Sequence, residues 1–463
     1  MLLSACLMLL GSFGGFDAVQ EWDFADAGVT TVWQANTHFA DLAVKADGLQ
    51  TRAVAWDPFF TCTSVDIAAS PSQCVLIRIK ADQSGKGQLF WTGDISGQYG
   101  GFSEKKLTNF SIAASSEYQD IYLFPFWHNE KRIRGLRLDL FEGAIFTIQR
   151  VVILERTETA SASATAWQPV NEANGWNTLN AGAVLTSPPL SINTNDAGWL
   201  SLTLDVKEDA TVSVEWSTDA ITGSKQETIY VKQHEGVRRY YVELQGNREW
   251  TGTLVGLNLH IADPAKISVD RIALTTEPDG PPEIEVAYFG FENGVNRAGR
   301  PESLLAQLIN RGGGNAVIKD VVLERPAGVT VVSGPHYSVT TPLQHGDSVN
   351  ILWQVQTEVA VPYTVTLKPG ATTTACDATL NFMPAVEMKA DYVPDPKPIE
   401  TSLEVCAYYF PGWNADVKYD CLRNTAPIRK PLLGYYDESN PECVDWQIKW
   451  AVENGISCFL VDW

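Results

Sequence analysis

The chain has 463 residues, 45% of them hydrophobic, so it can bury sizeable cores and is long enough for about three domains. Its formal net charge of −21 disfavours nucleic acid and anionic lipid surfaces as partners, whereas a neutral glycan is compatible with it. The six histidines are scattered, and no nucleotide-binding glycine pattern or HExxH pattern occurs, so we expect no nucleotide, no cofactor and no catalytic metal, while calcium sites stay open.

The first residues form an apolar run, MLLSACLMLLGSFGG, which has the length of a signal peptide and is too short to span a membrane. We therefore predict a signal peptide at 1–19 and a secreted, periplasmic or cell-surface location in a bacterium. The letters LSAC also resemble a lipoprotein box, and a lipid anchor on Cys6 is the only membrane contact that we expect. An ordinary signal fits better, because the apolar stretch follows that cysteine. A buried N-terminal strand is the remaining alternative.

Two pairs of segments repeat along the chain. Residues 74–91 and 199–216 have the same length and end on tryptophan, and 134–154 matches 255–275 position for position. Apolar side chains alternate with polar ones in these segments, which is typical of half-buried strands. The sequence therefore predicts two copies of one β-structured unit.

The small, polar run TETASASATA joins the two copies, so we predict tandem β-sandwiches at 20–156 and 165–278. Their pattern, with FWTGD followed later by LRLDL, resembles the jelly-roll, carbohydrate-binding-like modules that precede catalytic domains in secreted bacterial polysaccharide enzymes. Sandwiches of this kind serve many functions, so the resemblance alone assigns none.

Tryptophans recur at matched positions of the two copies. Trp91 aligns with Trp216, and Trp127 aligns approximately with Trp250. An exposed indole can stack on a sugar ring, whereas a buried indole holds two sheets together. We favour the core role for the Trp91 pair and leave both roles open for the Trp127 pair.

The eight cysteines are ordinary usage for this length. Removal of Cys6 with a signal peptide would leave an odd number. Cys62 and Cys74 could pair in an oxidising compartment, and the sequence leaves this open. Cys406 and Cys458 lie within apolar runs, so we predict that they are small buried side chains and not ligands.

A third all-β segment, 283–390, resembles the immunoglobulin-like spacer domains of bacterial exported enzymes, which set distance and orientation. Adhesion is an alternative for it without a specific motif. The following run, DYVPDPKPIETS at 391–402, contains three prolines and is typical of a semi-rigid linker.

Residues 403–463 change in character. EVCAYYF and SCFLVDW read as buried strands of a parallel sheet, and a helix is predicted between them. Asn440 is a good N-cap for this helix, Pro441 suits its first position, and Gly455 ends it. The segment therefore predicts one βαβ unit with a right-handed crossover.

Four blocks of this segment, AYYFPGW, LGYYDESNPE, the helix and NGISCFLVDW, closely resemble the opening of the WbsX-like domains. These are relatives of glycoside hydrolase family 99, the endo-α-mannosidases and endo-α-mannanases. The resemblance implies a (β/α)₈ barrel with its active site at the carboxyl ends of the strands. It also implies the substrate-binding residues, which are Tyr408, Tyr409, Trp413, Asp462 and Trp463. Since neighbouring residues of a strand face opposite sides, one of the two tyrosines is expected to pack instead, and bracing of its own loop is the alternative role of Trp413.

The same resemblance places the paired carboxylates needed for glycosidic cleavage on later strands, so we expect no catalytic residue in this chain. The family's usual WTEW-type patch is replaced by NADVKYDCL, which weakens the expectation of a mannose preference. The predicted fold class is mainly β: two tandem jelly-roll sandwiches, an Ig-like sandwich and the first βαβ unit of a truncated (β/α)₈ barrel.

The predicted function is that of the N-terminal part of an exported, multidomain glycoside hydrolase-like protein that acts on a polysaccharide, with α-mannan as the candidate. The alternative is a non-catalytic carbohydrate- or cell-surface-binding protein with a remnant barrel. A glycosyltransferase role fits less well, because no nucleotide-sugar site is visible. Whether the chain is itself an enzyme stays open.

Overall fold

The computed structural model describes residues 12–13, 15–157, 162–294, 296–338, 342–370, 374–385, 393–413 and 418–462. The chain is mainly β, with several open antiparallel sheets and one parallel strand pair. None of the helices within these residues is long and apolar enough to cross a membrane.

The first sandwich is built from two antiparallel sheets that share one core. In chain order its elements are β1 (Ser12–Phe13), β2 (Phe16–Asp23), α1 (Val29–Val32), β3 (Trp33–Ala35), β4 (Phe39–Lys45), β5 (Gly48–Ala53), β6 (Phe59–Cys62), β7 (Ile67–Ala68), β8 (Gln73–Ala81), β9 (Gly85–Thr92), β10 (Leu107–Ile112), β11 (Ser115–Leu123), β12 (Arg132–Ile133), β13 (Gly135–Asp139) and β14 (Ile145–Arg156). One sheet has the order β1-β2-β14-β5-β4, with β8 paired to β14 and β11 to β8. The other has the order β10-β9-β13-β6-β3, and β7 pairs with β12.

The second sandwich repeats this plan. In chain order its strands are β15 (Ala166–Trp167), β16 (Asn177–Leu179), β17 (Val184–Thr186), β18 (Ile192–Asn193), β19 (Trp199–Val206), β20 (Ala210–Thr218), β21 (Lys225–Val231), β22 (Val237–Glu243), β23 (Thr253–Ile261) and β24 (Ile267–Thr275). One sheet has the order β15-β24-β19-β22, and the other has the order β16-β17-β23-β20-β21 with β18 on β23. Buried side chains of both sheets form its core.

The two copies agree in strand pairing down to single residues. The equivalent pairs are Trp91–Leu136 with Trp216–Leu257, and Ile77–Val151 with Leu202–Ile272. A register shift also occurs at the same step in both, so that Gln149 and Asp270 are each left without a partner on the neighbouring strand. The segments that repeat in sequence therefore occupy equivalent strands.

All four repeated tryptophans are buried. Trp91 meets Trp127 edge to face at 6.3 Å between ring centroids, and Trp216 meets Trp250 in the same way at 5.8 Å. The core role predicted for the first pair is confirmed, and the question left open for the second is answered in the same sense. These indoles are not available to stack on a sugar.

The outer face of the first sheet is apolar as well, and the second sandwich covers part of it. Phe16, Leu76 and Val152 form a buried cluster there, and Val184 of the second sandwich belongs to the same cluster. The predicted signal peptide, 1–19, overlaps β2, which begins at Phe16, so removal at residue 19 would take away the first half of this strand. Residues 1–11 of the predicted signal peptide lie outside the described residues.

Polar contacts lie beside this apolar interface. Arg156 is buried and donates hydrogen bonds to the Ser187 carbonyl and, over 2.5 Å, to Asn177 Oδ1. The backbone N–H of Tyr122 donates to Asn180 Oδ1 over 2.8 Å. The two sandwiches are therefore joined through side chains and do not depend only on the segment between them.

The third β unit has two sheets. Its strands are β25 (Ile284–Phe291), β26 (Glu302–Asn310), β27 (Val322–Glu324), β28 (Thr330–Tyr337), β29 (Ser348–Gln356), β30 (Pro362–Lys368) and β31 (Cys376–Asn381). The sheet orders β25-β26-β29-β28 and β27-β30-β31 correspond to the ABED and CFG sheets of a constant-type immunoglobulin domain. The described part of the proline-containing segment after it, 393–402, forms no helix or strand.

The C-terminal unit is the one place where parallel strands occur within the described residues. Its elements are β32 (Cys406–Tyr409), α2 (Asp420–Thr425), α3 (Pro441–Glu453) and β33 (Cys458–Val461), and β32 pairs with β33 in parallel.

Short 3₁₀ helices occur along the described chain, at Gln98–Gly101, His128–Glu130, Glu172–Asn174, Asn180–Gly182, Thr194–Asp196 and Pro427–Arg429.

The structure answers the questions about cysteine. Cys62 lies in the core between the first two sheets, whereas Cys74 lies in the cluster on the outer face of the first sheet, so a sheet separates the two free thiols. The predicted burial of Cys406 is wrong: this side chain is exposed, and that of Cys458 is half-buried. The reason is that α3 covers only one face of the two-stranded sheet.

We expect a thiol reagent such as DTNB at pH 8 to label the exposed Cys421 rapidly in the native chain, and Cys62 and Cys74 only after unfolding. Burial raises the pKa of Cys62 to about 11 and also raises the pKa of Cys74, so little reactive thiolate is present. Mass spectrometry of the labelled peptides measures this. Rapid native labelling of Cys74 would contradict the interface on the outer sheet face.

Candidate functional site

The C-terminal unit provides the scaffold of the site predicted from sequence. The Asn440 side chain accepts a hydrogen bond from the Glu442 N–H over 3.1 Å, and Pro441 is the first helical residue, so the predicted helix start is confirmed. Gly455 has a φ of +78°, which suits a glycine just after a helix. The helix therefore begins and ends on side chains that the sequence supplies for this purpose.

Tyr408 and Tyr409 lie on opposite faces of β32. The Tyr409 hydroxyl donates to Gln447 Oε1 of α3 over 2.6 Å, and its ring stacks on Phe459 at 4.9 Å. Burial and the nearby Glu438 carboxylate raise the pKa of Tyr409 to about 12. Tyr408 points away from the helix and is 89% exposed. Tyr409 is thus a packing residue, whereas Tyr408 is open to a ligand.

Trp413 begins a polar and aromatic cluster in the loop after β32. Its backbone N–H donates to Glu438 Oε2 over 2.8 Å, and its indole stacks on the Tyr419 ring at 4.8 Å. Tyr419 is buried and also contacts the rings of Tyr435 and Tyr436. We call Trp413, Tyr419, Tyr435, Tyr436 and Glu438 the loop cluster.

The structure brings only part of the predicted site together. Tyr409 and Trp413 meet through Glu438, which lies 3.4 Å from the Tyr409 hydroxyl. The Asp462 N–H donates to the Tyr409 carbonyl over 2.9 Å, while the Asp462 side chain is exposed. Trp463 lies outside the described residues.

Sequence reasoning missed Glu438 and Tyr419. The run YYDES shows aromatics beside two carboxylates, but nothing in its spacing identifies Glu438 as the residue that fixes the Trp413 backbone. Tyr419 lies in the NADVKYDCL segment that departs from the family pattern. Among the described residues, no three His, Cys, Asp or Glu side chains are placed to hold a metal ion together.

Comparison with known proteins assigns no family. No protein-family model and no curated protein matches the chain by sequence. The BiXyn10A CBM1 in its apo form is similar at 13% identity and a TM-score of 0.22, over 29% of this chain and 96% of that one. The glycoside hydrolase domain of Endo-D from Streptococcus pneumoniae R6 is similar at 13% identity and a TM-score of 0.22, over 53% of this chain and 38% of that one. Scores this low establish neither a fold nor an activity.

A third likeness involves a protein of a different kind. Escherichia coli alpha-2-macroglobulin, activated by porcine elastase, is similar at 12% identity and a TM-score of 0.18, over 73% of this chain and 33% of that one. This score is equally too low to assign anything. The functional interpretation therefore depends on the residues of this chain.

A second candidate site lies in a cleft of about 1040 Å³ between the first two sandwiches. Strands β10 and β11 of the first sandwich form one wall, and β20, β21 and β23 of the second form the other. Side chains on both walls alternate between core and cleft. Val214 and Leu259, for example, lie in the core, while their neighbours Glu215 and His260 line the cleft.

Glu215 is the centre of a polar group on the second wall. Its carboxylate accepts hydrogen bonds from Ser224 Oγ at 2.6 Å, Asn258 Nδ2 at 2.8 Å and His260 Nε2 at 2.9 Å. Burial acts to raise the pKa of Glu215, but the interaction with His260 and the hydrogen bonds from Ser224 and Asn258 more than offset it, so the pKa lies below its ordinary value. The carboxylate is thus held ionised in a fixed position.

Sequence reasoning missed this group, although a signal was present. Glu215 and Asn258 are direct partners on β20 and β23, yet they lie far apart in sequence. At the positions equivalent to Asn258 and His260, the first copy has Arg137 and Asp139, which form an ion pair at 2.6 Å. This difference between otherwise equivalent strands is the sequence signal that could have identified the wall with Glu215.

Proposed function

We propose that the chain is the N-terminal part of an exported protein that acts on a polysaccharide, and that residues 403–463 begin its (β/α)₈ barrel. The observation that supports this most is the parallel pair β32–β33 with α3 between them, with the loop cluster following β32. In such barrels the substrate binds at the carboxyl ends of the strands. The four-block resemblance to WbsX-like domains favours the same function.

The face of the unit opposite α3 adds support. Apolar side chains that we expect to be covered in a complete barrel are exposed there, and these are Tyr408, Phe410 and Leu460. Further strands of a barrel would bury this surface. In this arrangement Tyr408 faces the barrel interior, Trp413 offers a ring for a sugar, and Tyr409 holds the helix against the sheet.

A second candidate function is glycan binding by the sandwiches, without catalysis. The cleft with the Glu215 group favours it, because it needs no completed barrel. The third, immunoglobulin-like unit then acts as a spacer in either case. α-Mannan is the candidate polysaccharide for the catalytic function, through the resemblance alone.

The test is the release of reducing sugar from α-mannan, β-mannan and xylan by protein expressed from its complete reading frame. We expect release from at least one, and at least a tenfold loss on Trp413→Ala, since this ring is in the loop after the first barrel strand. Trp56→Ala is the matched control, because that indole is 80% exposed in the first sandwich. No release from any polymer by folded protein would refute the catalytic function.

A further inference from the structure

We infer that the cleft between the first two sandwiches binds a neutral oligosaccharide of several sugar units, a role that rests on the proposed polysaccharide function. Its volume of about 1040 Å³ lies at the upper end of what small-molecule pockets offer, typically about 300–1000 Å³. The cleft is lined by both sandwiches. A ligand in it would therefore contact two walls at once.

The charges of the cleft are already paired within the protein. Asp120 pairs with Arg78 at 2.9 Å, and Lys225 pairs with Glu249 at 2.9 Å. Glu215 is bound by His260. A charged ligand would have to compete with these pairs, and the net charge of −21 repels polyanions in addition. A neutral ligand avoids both costs.

The polar groups suit hydroxyls. Glu215 is fixed by three donors and is a strong acceptor, and His260 is part-exposed with its Nδ1 unpartnered among the described residues. Asn258 is fully buried and donates its Nδ2–H to Glu215, so it positions the carboxylate from behind the cleft wall. A fixed acceptor beside a free ring nitrogen can orient a polyhydroxyl ligand without reorganisation.

The opposite wall provides aromatic surface. The Tyr122 ring is half-buried on β11 and lines the cleft, and its hydroxyl has no hydrogen-bond partner in the described part of the chain. Phe110 on β10 is buried in the core of the first sandwich, so Tyr122 carries the aromatic contact of this wall. A sugar ring has an apolar face and a hydroxylated edge, so it matches one aromatic wall and one polar wall.

The equivalent strands of the first sandwich do not offer such a surface. There the Arg137 guanidinium lies 3.8 Å from the centre of the Phe59 ring and pairs with Asp139, so the corresponding face is closed by its own side chains. At the positions equivalent to Arg137 and Asp139, the second copy has Asn258 and His260 instead. This difference between two otherwise equivalent sheets assigns the ligand site to the second copy.

Isothermal titration of the whole chain with α-mannohexaose, xylohexaose and cellohexaose tests the inference. We expect binding of at least one, and at least a tenfold loss of affinity on Glu215→Gln and separately on His260→Ala. His260 is part-exposed, so its removal leaves no core cavity and a folded variant is expected. Glu227→Gln on β21 is the matched control, since Glu227 contacts Asn247 and does not line the cleft.

Each outcome decides. Loss in the two cleft variants with retention in Glu227→Gln supports the inference. Unchanged binding in both cleft variants, or no binding of any of the three neutral probes, overturns it. Tri-galacturonate is titrated as a charged probe, and binding of it alone overturns the neutral class. Loss only in Trp413→Ala moves the site to the C-terminal unit, which favours the proposed function while it refutes this inference.

Discussion

Replacement of Trp216 by alanine is expected to lower the free energy of unfolding by roughly 3–5 kcal/mol, the range typical of buried aromatic truncations. Trp216 is completely buried and packs edge to face on Trp250 between the two sheets of the second sandwich. Alanine would leave a large cavity there and remove the aromatic contact. Chemical denaturation followed by circular dichroism measures the loss.

Phenylalanine at the two positions separates packing from hydrogen bonding. Among the described residues the Trp216 Nε1–H has no hydrogen-bond partner, so Trp216→Phe should cost only about 1–2 kcal/mol from the smaller cavity. The Trp250 Nε1–H donates to the carbonyls of Thr194 and Ala197, at 3.1 and 2.8 Å. Trp250→Phe would remove the donor of the buried Ala197 oxygen, while the Thr194 oxygen keeps the Ala197 N–H at 3.3 Å. We therefore expect Trp250→Phe to cost more than Trp216→Phe by roughly 1–3 kcal/mol.

The matched control is Trp56→Ala, which removes an exposed indole and should change the free energy of unfolding by less than about 0.5 kcal/mol. Equal costs for phenylalanine at Trp216 and Trp250 would mean that the hydrogen bonds of Trp250 contribute nothing. Trp91→Phe and Trp127→Phe repeat the comparison in the first sandwich, since Trp127 donates to Gln73 Oε1 whereas Trp91 Nε1 has no partner in the part of the chain that the structure describes.

Much of the β architecture could be predicted from sequence, because side chains on a strand alternate between the core and the outside. This alternation identified the segments that the structure places on equivalent strands, such as β8 with β19 and β9 with β20. The burial of Trp127 and Trp250 stayed open, because their hydrogen-bond partners come from segments distant in sequence. Local pattern contains no information on such partners.

The candidate sites were less accessible to sequence reasoning. The buried strand expected around Cys406 is an exposed one, since burial on both faces depends on neighbouring strands that residues 403–463 do not provide. Which of Tyr408 and Tyr409 packs and which is exposed depends on where α3 lies, and the sequence does not show that position. The cleft exists because the two sandwiches are in contact, and this contact could not be predicted, since the sequence shows only a small polar connection between them.

The second large loss of stability that we expect concerns the contact between the first two sandwiches. Replacement of Arg156 by alanine should cost about 2–4 kcal/mol, because hydrogen bonds of a charged group contribute roughly 1.5–3 kcal/mol and its buried stem is lost as well. Arg156 belongs to the first sandwich but donates to Ser187 and Asn177 of the second, and its guanidinium lies 5.4 Å from the centre of the Phe16 ring. Its removal leaves two acceptors of the second sandwich unpaired.

Because these bonds cross between the sandwiches, the loss should appear as weaker coupling and not as a weaker core. We expect calorimetry to resolve two transitions for Arg156→Ala where the parent chain has one for both sandwiches, and small-angle scattering to show a larger radius of gyration. Arg132→Ala is the matched control: its ion pair with Asp66 is exposed, and such pairs contribute roughly 0–1 kcal/mol. A single unshifted transition for Arg156→Ala would show that the apolar cluster around Phe16 and the remaining hydrogen bonds hold the sandwiches together, and the cleft would then keep its shape without the arginine.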